Sequence, residues 1–226
     1  MESGRRASQA SVRAQLNLRA VESSLRRLQR HLRADASVSP RDPFDDRVLD
    51  NLLAGYARVD ALVADGIDVF AMGQLRHVLE LNVLVLCGTS AARRDAYARH
   101  IEASERRFYE EPDGGIRDVV EWHQTHQGEA PAEHAAGVFA RMQATPQLFI
   151  EGNHRTGALL MSYVLLLGGE PPFVLSPEAA PPFFDLASAL RDVQRRSPAG
   201  FLQLPAVRQA LVALLIRHAD PAHLLH

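Results

Sequence analysis

The sequence predicts an all-α fold: a compact helical domain led by a long N-terminal helix. Two observations carry this. Almost every segment with a regular apolar pattern repeats at helical spacing rather than strand spacing. No internal repeat and no low-complexity tract interrupts the chain. At 226 residues, 46% hydrophobic and 23% charged, it suits one domain with an appendage. Residues 1–42 read as a basic N-terminal arm and linker, and residues 43–226 as the body.

The elements follow in order. Over 8–33, Leu18, Val21, Leu25, Leu28 and Leu32 alternate steps of three and four, a heptad seam. Arg19, Arg26, Arg27, Arg30 and Arg33 lie off it and read as a solvated face. The seam is expected to pack on the body. The sharper alternatives are a homodimer through 8–33 or a cover over a site. Asp35 to Pro43 is a linker. Asp45 or Asp46 can cap the next helix, whose stripe runs from Val48 to Val63 and which Gly66 ends. Phe70 to Cys87 reads as a buried helix and 91–110 as an amphipathic one. Asp113-Gly114-Gly115 is a turn that can close a short β-hairpin before a helix near 116–125. Ala130 to Gln143 is helical, ended by Pro146. A further helix spans about Asn153 to Leu167, stopped by Gly168-Gly169. Residues 170–182 carry five prolines and read as a fixed loop. Helices are expected near 183–196 and from Pro205 to about His218.

Composition excludes several functions. No residue is lysine; all 25 basic side chains are arginines. A Walker A phosphate loop, a lysine Schiff base and a protein-kinase strand lysine are therefore ruled out. Cys87 is the one cysteine, so no internal disulfide or thiolate zinc cluster can form. No histidine pair at ligand spacing has a third ligand nearby. The arm over 1–42 holds nine Arg against four acids, on an acidic remainder. No aromatics interleave with its arginines for base stacking, so nucleic acid ranks low as a partner. The start is polar, and the run Ala158 to Leu167 is too short to span a bilayer, so the expectation is a cytoplasmic chain without a membrane partner.

One segment carries chemistry: Gln147-Leu148-Phe149-Ile150-Glu151-Gly152-Asn153-His154-Arg155-Thr156-Gly157-Ala158. Glycine and asparagine sit where a loop enters an apolar helix. Backbone N–H groups at a helix start form an anion site. Gly152 lets the backbone approach a ligand. Arg155 stands in the first turn, where the dipole disfavours a cation unless an anion is also there. Glu151 can hold Mg²⁺, which takes one or two carboxylates plus substrate phosphates. These residues on their own suggest a phosphate and metal site at a helix start; the bland reading is an ordinary capped helix.

The segment resembles the signature of the Fic (fido) family, H-x-F-x-[D/E]-G-N-G-R-x-x-R. Phe149, Glu151, Gly152, Asn153 and Arg155 match it. The helix before it and the apolar helix after it match too, so the resemblance covers roughly 130–180 and extends loosely over 44–200. It implies a compact helical domain that moves AMP, or in one branch a phosphoryl group, from ATP or another nucleotide onto a protein or small-molecule acceptor. It implies Mg²⁺ at Glu151 and phosphates at Gly152, Asn153, His154 and Arg155. It also implies a hairpin flap that aligns the acceptor, to which the Asp113-Gly114-Gly115 turn is assigned.

Three positions depart from the signature. Gln147 stands where the family has its base histidine, His154 replaces the second glycine, and Ala158 replaces the final arginine. A neutral amide cannot take the acceptor's proton, and losing a positioned base typically costs about 10²–10⁴-fold in rate. His154 can act as a cation when protonated. The alternative function is therefore a catalytically silent binding or regulatory protein on the same fold. His123, His126 and His134 lie upstream as substitute bases, each read as a satisfied surface residue. His77 is expected in the core, bonded to a backbone carbonyl.

Overall fold

A computed structural model describes residues 14–34 and 44–225. The linker expected over 35–43, and residues 8–13 of the expected first helix, lie outside the described residues. Ten α-helices and one 3₁₀ turn are described, with no strand among the described residues. The all-α expectation holds, and the hairpin flap does not.

Helix α1 spans Leu18–Ala34. Ala14 to Asn17 are not helical, so the N-terminal helix is shorter than the heptad pattern suggests. Their backbone pairs with the other end of the chain instead. Leu16 bridges antiparallel to Leu224, Asn17 N–H donates to the His223 carbonyl (2.8 Å), and Leu225 N–H to that of Gln15 (2.9 Å). Asn17 then caps α1 through the Ala20 N–H. Val21, Leu25 and Leu28 of the heptad seam are buried within this chain's own core.

Helix α2, Asp46–Asp65, behaves as its sequence dictates. The Asp45 carboxylate accepts from Val48 N–H at 2.8 Å, and Gly66 ends the helix in the left-handed region at φ 68°. Helix α3 is Arg76–Cys87, with Val69 and Phe70 buried in the turns before it. The helix expected over 91–110 is two: α4, Ala91–Ala96, and α5, Ala98–Glu110, parted at Tyr97. Helix α6 is Ile116–Thr125. The Asp113-Gly114-Gly115 turn joins α5 directly to α6. The segments on either side keep a 3.6-residue period, so neither supplies a strand for a hairpin. Gly114, at φ 91°, packs its backbone against the Pro146 carbonyl with no room for a side chain.

Helices α7, Pro131–Gln143, and α8, Asn153–Leu167, form the centre. Helix α8 is buried along almost its whole length and packs on α2, α3 and α7. Gly157 on α8 admits the Phe139 ring of α7, and Gly137 on α7 admits the Trp122 indole of α6. Helix α9 is Ala180–Asp192, earlier than expected, because Pro181 and Pro182 fall in its first turn, where a missing N–H costs nothing. Helix α10 is Pro198–Arg217, not a helix begun at Pro205. Ser197 caps it by accepting from Gly200 N–H (3.0 Å), which leaves Pro205 inside the helix. By length and composition alone α10 could cross a membrane; Leu211, Leu214 and Leu215 are buried, and the helix packs on α7 and α9. A 3₁₀ turn, Pro221–His223, closes the chain onto α1.

One side chain ties α6, α7 and the loop after α7 together. Arg195 is buried between α9 and α10. It pairs with Asp118 of α6 and donates to the carbonyls of Arg141, Ala144 and Pro146. Burial pushes the guanidinium pKa down, and the Asp118 charge opposes that. Removing one partner of a buried charge pair leaves the other uncompensated, at about 3–5 kcal/mol. Arg195→Met should therefore lower the unfolding free energy by about 3 kcal/mol or more in urea titrations. A loss below about 1 kcal/mol, the range of exposed pairs, would show that Arg195 holds nothing.

Candidate functional site

The signature segment comes together around one cavity of about 310 Å³. Gln147, Ile150, Glu151, Gly152, Asn153, His154, Arg155 and Ala158 all line it. Every site residue named from the sequence is thus in one place. The remaining wall is apolar and comes from distant parts of the chain: Leu25, Phe44, Val48, Leu52, Tyr56, Leu175, Phe183 and Phe184, with Arg191 alone among them charged.

The loop that delivers these residues is held from three directions. The Asn153 side chain bonds both backbone groups of Phe149: Phe149 N–H donates to its Oδ1 (2.9 Å), and its Nδ2 donates to the Phe149 carbonyl (2.8 Å). That amide is committed to the loop on both its donor and its acceptor side. Asn82 of α3 donates to the Glu151 carbonyl (2.9 Å) and to Thr156 Oγ1 (3.0 Å). Arg107 of α5 donates from Nε and Nη2 to the Gln147 carbonyl (2.9 and 2.7 Å).

Gly152 is the N-cap of α8 at φ 77°, in the left-handed region that glycine adopts freely. A Cβ there would come within 3.0 Å of Asn82 Nδ2 and 3.3 Å of Val85 and Leu86 side-chain carbons. No side chain caps this helix start. The first N–H groups of a helix have no intrahelical partner, and together with the dipole they favour an anion.

The other named residues divide between structure and cavity. Arg155 Nη1 donates to the Val85 carbonyl at 3.0 Å, so its guanidinium also braces the end of α3. His154 meets Phe184 at 6.2 Å between ring centroids and Phe183 edge-on at 6.4 Å. It is the one histidine among the lining residues. The half-exposed Glu151 carboxylate has His100 Nε2 at 3.7 Å. Gln147 Nε2 donates to Gln143 Oε1 at 3.0 Å. Among the described residues, no group of three or more His, Cys, Asp and Glu side chains is arranged to hold a metal. Glu151 alone fits a cation only where a ligand brings further oxygens, which is the usual condition for Mg²⁺.

The upstream histidines are not substitute bases. None lines the cavity, and two are not surface residues. His123 and His134 are buried and stacked at 4.7 Å between centroids, with Phe70 on His123 and the Trp122–His126 stack alongside. Their burial replaces the satisfied surface reading: α6 turns its aromatic face to α7, and the imidazoles fill that face. His77 is buried as expected, but its partners are side chains. Arg58 donates to Nδ1 and Gln74 Oε1 faces Nε2, both at 3.0 Å.

Several residues at the site were not found from the sequence. Phe183, Phe184, Arg107 and Asn82 act from other helices and carry no local signal. Gln143, the last residue of α7, meets Gln147 across the turn at Pro146 and carries no local signal either. No family model matches the chain, and no curated protein matches it.

The buried imidazoles set a pH dependence. Burial, then the neighbouring His123, pushes the His134 pKa down to about 4, and burial lowers that of His123 as well. A depressed folded pKa means that the unfolded chain binds more protons below the ordinary value near 6.5. Stability is then fully present above pH 6.5 and is lost as pH falls toward 4. For His134 alone the loss is on the order of 3 kcal/mol. Urea midpoints should fall steeply between pH 6.5 and 4.5, and His134→Phe should flatten that fall. Parallel curves for the two proteins would refute the assignment.

Proposed function

We propose that the cavity binds a nucleotide and that the chain is a divergent Fic-type transferase, moving a nucleotidyl (AMP) or phosphoryl group to a protein or small-molecule acceptor. The observation that carries this reading is the uncapped start of α8. It opens, through Gly152 in the left-handed region, onto the cavity that all the signature residues line. An anion there meets the Asn153 N–H and the positive end of the α8 dipole, with no N-cap side chain to displace. The apolar wall beside them, with the Phe183, Phe184 and His154 rings, suits a flat base. In a lysine-free chain, phosphate charge falls to Arg155, Arg191, the helix start and a protonated His154.

Glu151 would hold Mg²⁺ together with the ligand's phosphates. Bound there, the ion would neutralise phosphate charge as the transferred group leaves. The loop's own residues position: Asn153 fixes the turn, Asn82 fixes the Glu151 carbonyl, and Arg107 fixes Gln147. Gln147 orients an acceptor and removes no proton. Positioning and charge stabilisation carry much of phosphoryl transfer, so a missing base lowers the rate without abolishing it.

A second reading has its own observation. The Gln147 amide is held in place at the position of the base, and no other histidine but His154 lines the cavity. That favours a protein that binds a nucleotide without turning it over.

Two measurements separate the readings. In a thermal-shift series with ATP, GTP or CTP plus Mg²⁺, a ligand at 100 times its Kd should stabilise the chain by about 2.7 kcal/mol. Glu151→Gln should remove the dependence of that shift on Mg²⁺. No shift with any nucleotide overturns both readings. With binding in hand, Gln147→His should create or increase self-modification from labelled ATP, seen by mass spectrometry. Binding without product in either protein leaves the silent reading.

A further inference from the structure

Gln143 stands at the last position of α7, fully buried, with 0% of its surface exposed. Its Oε1 accepts from Gln147 Nε2 at 3.0 Å, while its own Nε2 is buried without a hydrogen-bond partner among the described residues. That nitrogen lies close against α8, where a Cβ on Gly157 would sit 3.7 Å from it. A buried donor left unpaired is destabilising, and an apolar side chain of the same length would not carry the burden. Packing alone does not explain a glutamine here.

Gln147 explains it. An amide presents a donor on one side and an acceptor on the other, and turning it over exchanges them. The Gln147 backbone is pinned by Arg107 through its carbonyl. Its side chain then has one choice, which face of the amide meets Gln143. With Gln143 Oε1 beside it, only the NH₂ side of Gln147 can point that way. The reverse orientation would set two carbonyl oxygens together unless both amides turned at once.

We propose that Gln143 is a positioning residue. It holds the Gln147 amide through the contact between the two side-chain amides, so that one face of Gln147 is turned to the cavity and the acceptor. This rests on the reading above, in which Gln147 faces the acceptor. It adds the residue that fixes how Gln147 meets that acceptor. The same contact has a consequence for a base introduced at position 147. Gln143 Oε1 would take a ring N–H, fix one neutral tautomer and leave the other nitrogen to accept a proton.

The test reads the lock directly, without activity. The full chain with Gln147→His, labelled with ¹⁵N in its histidines, is compared by NMR with the same protein carrying Gln143→Met or Gln143→Glu. With Gln143 present, the introduced imidazole should show a single neutral tautomer. Gln143→Met should give a mixture and lower the imidazole's pKa by about half a unit or more, since the acceptor that favoured the protonated ring is gone. Gln143→Glu, which keeps an acceptor oxygen, should restore the single tautomer. Gln143→Met alone should unfold at the same urea concentration as the parent or a higher one. Self-modification of the Gln147→His protein should drop about 3- to 10-fold with Gln143→Met, and the acid limb of its pH profile should move with the imidazole. The same tautomer and titration with Gln143 and with Met would overturn the proposal, whether or not any protein is labelled. A tautomer set by Gln143 in a protein that no nucleotide modifies would sink the transferase reading alone.

Discussion

The arrangement of the site depends on a buried guanidinium. Arg195 is not among the residues that line the cavity, yet it fixes the carbonyls of Arg141, Ala144 and Pro146 while its charge is met by Asp118. Those carbonyls end α7 and begin the loop that leads to Gln147. One residue further on, Arg107 takes over by holding the Gln147 carbonyl. Two arginines, one from the segment between α9 and α10 and one from α5, thus set where the loop can go before any ligand arrives. A guanidinium suits this, because its planar fork of donors reaches several carbonyls at once. A chain with no lysine has only this cation to build with, and here it serves as internal scaffolding as well as surface charge.

The extent to which the sequence disclosed the fold follows from where its signals are local. Helix α2 was legible to within a residue because Asp45 or Asp46 and Gly66 are chemical stops that act within one turn. Helix α8 was legible because Gly168-Gly169 stop the apolar run that follows the Gly152-Asn153 helix start. The errors arose where a signal has two meanings. Proline marks both a helix's first turn and a break, so Pro181 and Pro205 were assigned the wrong way round, one to a loop and the other to a start. Asp113-Gly114-Gly115 turns a chain whether strands or helices flank it. The helix expected from residue 8 ran, on paper, through Ala14 to Asn17, which pair with the C-terminal segment instead.

The site was legible in the same uneven way. Its contiguous half could be named in part because Glu151, Gly152, Asn153 and Arg155 stand at a loop-to-helix start that suits an anion, and in part, as for Gln147, only from the resemblance of the segment to a known signature. Its other half is assembled by packing. Leu25, Tyr56 and Phe183 reach the same cavity from three helices, and nothing in the spacing of these residues announces that they meet. The role of Asn153 was also not readable. The sequence offers an amide beside a phosphate site, and the structure gives that amide to Phe149. Gln143 and Gln147 are four residues apart and paired, but α7 ends at Gln143 and Gln147 lies in the loop beyond, so helical periodicity does not announce their contact.

The pairing of Leu16 with Leu224 joins positions at the two ends of the described chain. Ser24 on α1 meets His223 of the closing turn at 3.0 Å, and the next residue, Leu25, is part of the cavity wall. In topological terms the polypeptide is a ring closed by a few hydrogen bonds rather than by a covalent link. Its seam runs beside the cavity. Closing a loop of that length costs conformational entropy that local helices do not face, so the seam should form late in folding. The wall at Leu25 would then be the last part of the cavity to be completed, and the first to be lost if the ends part.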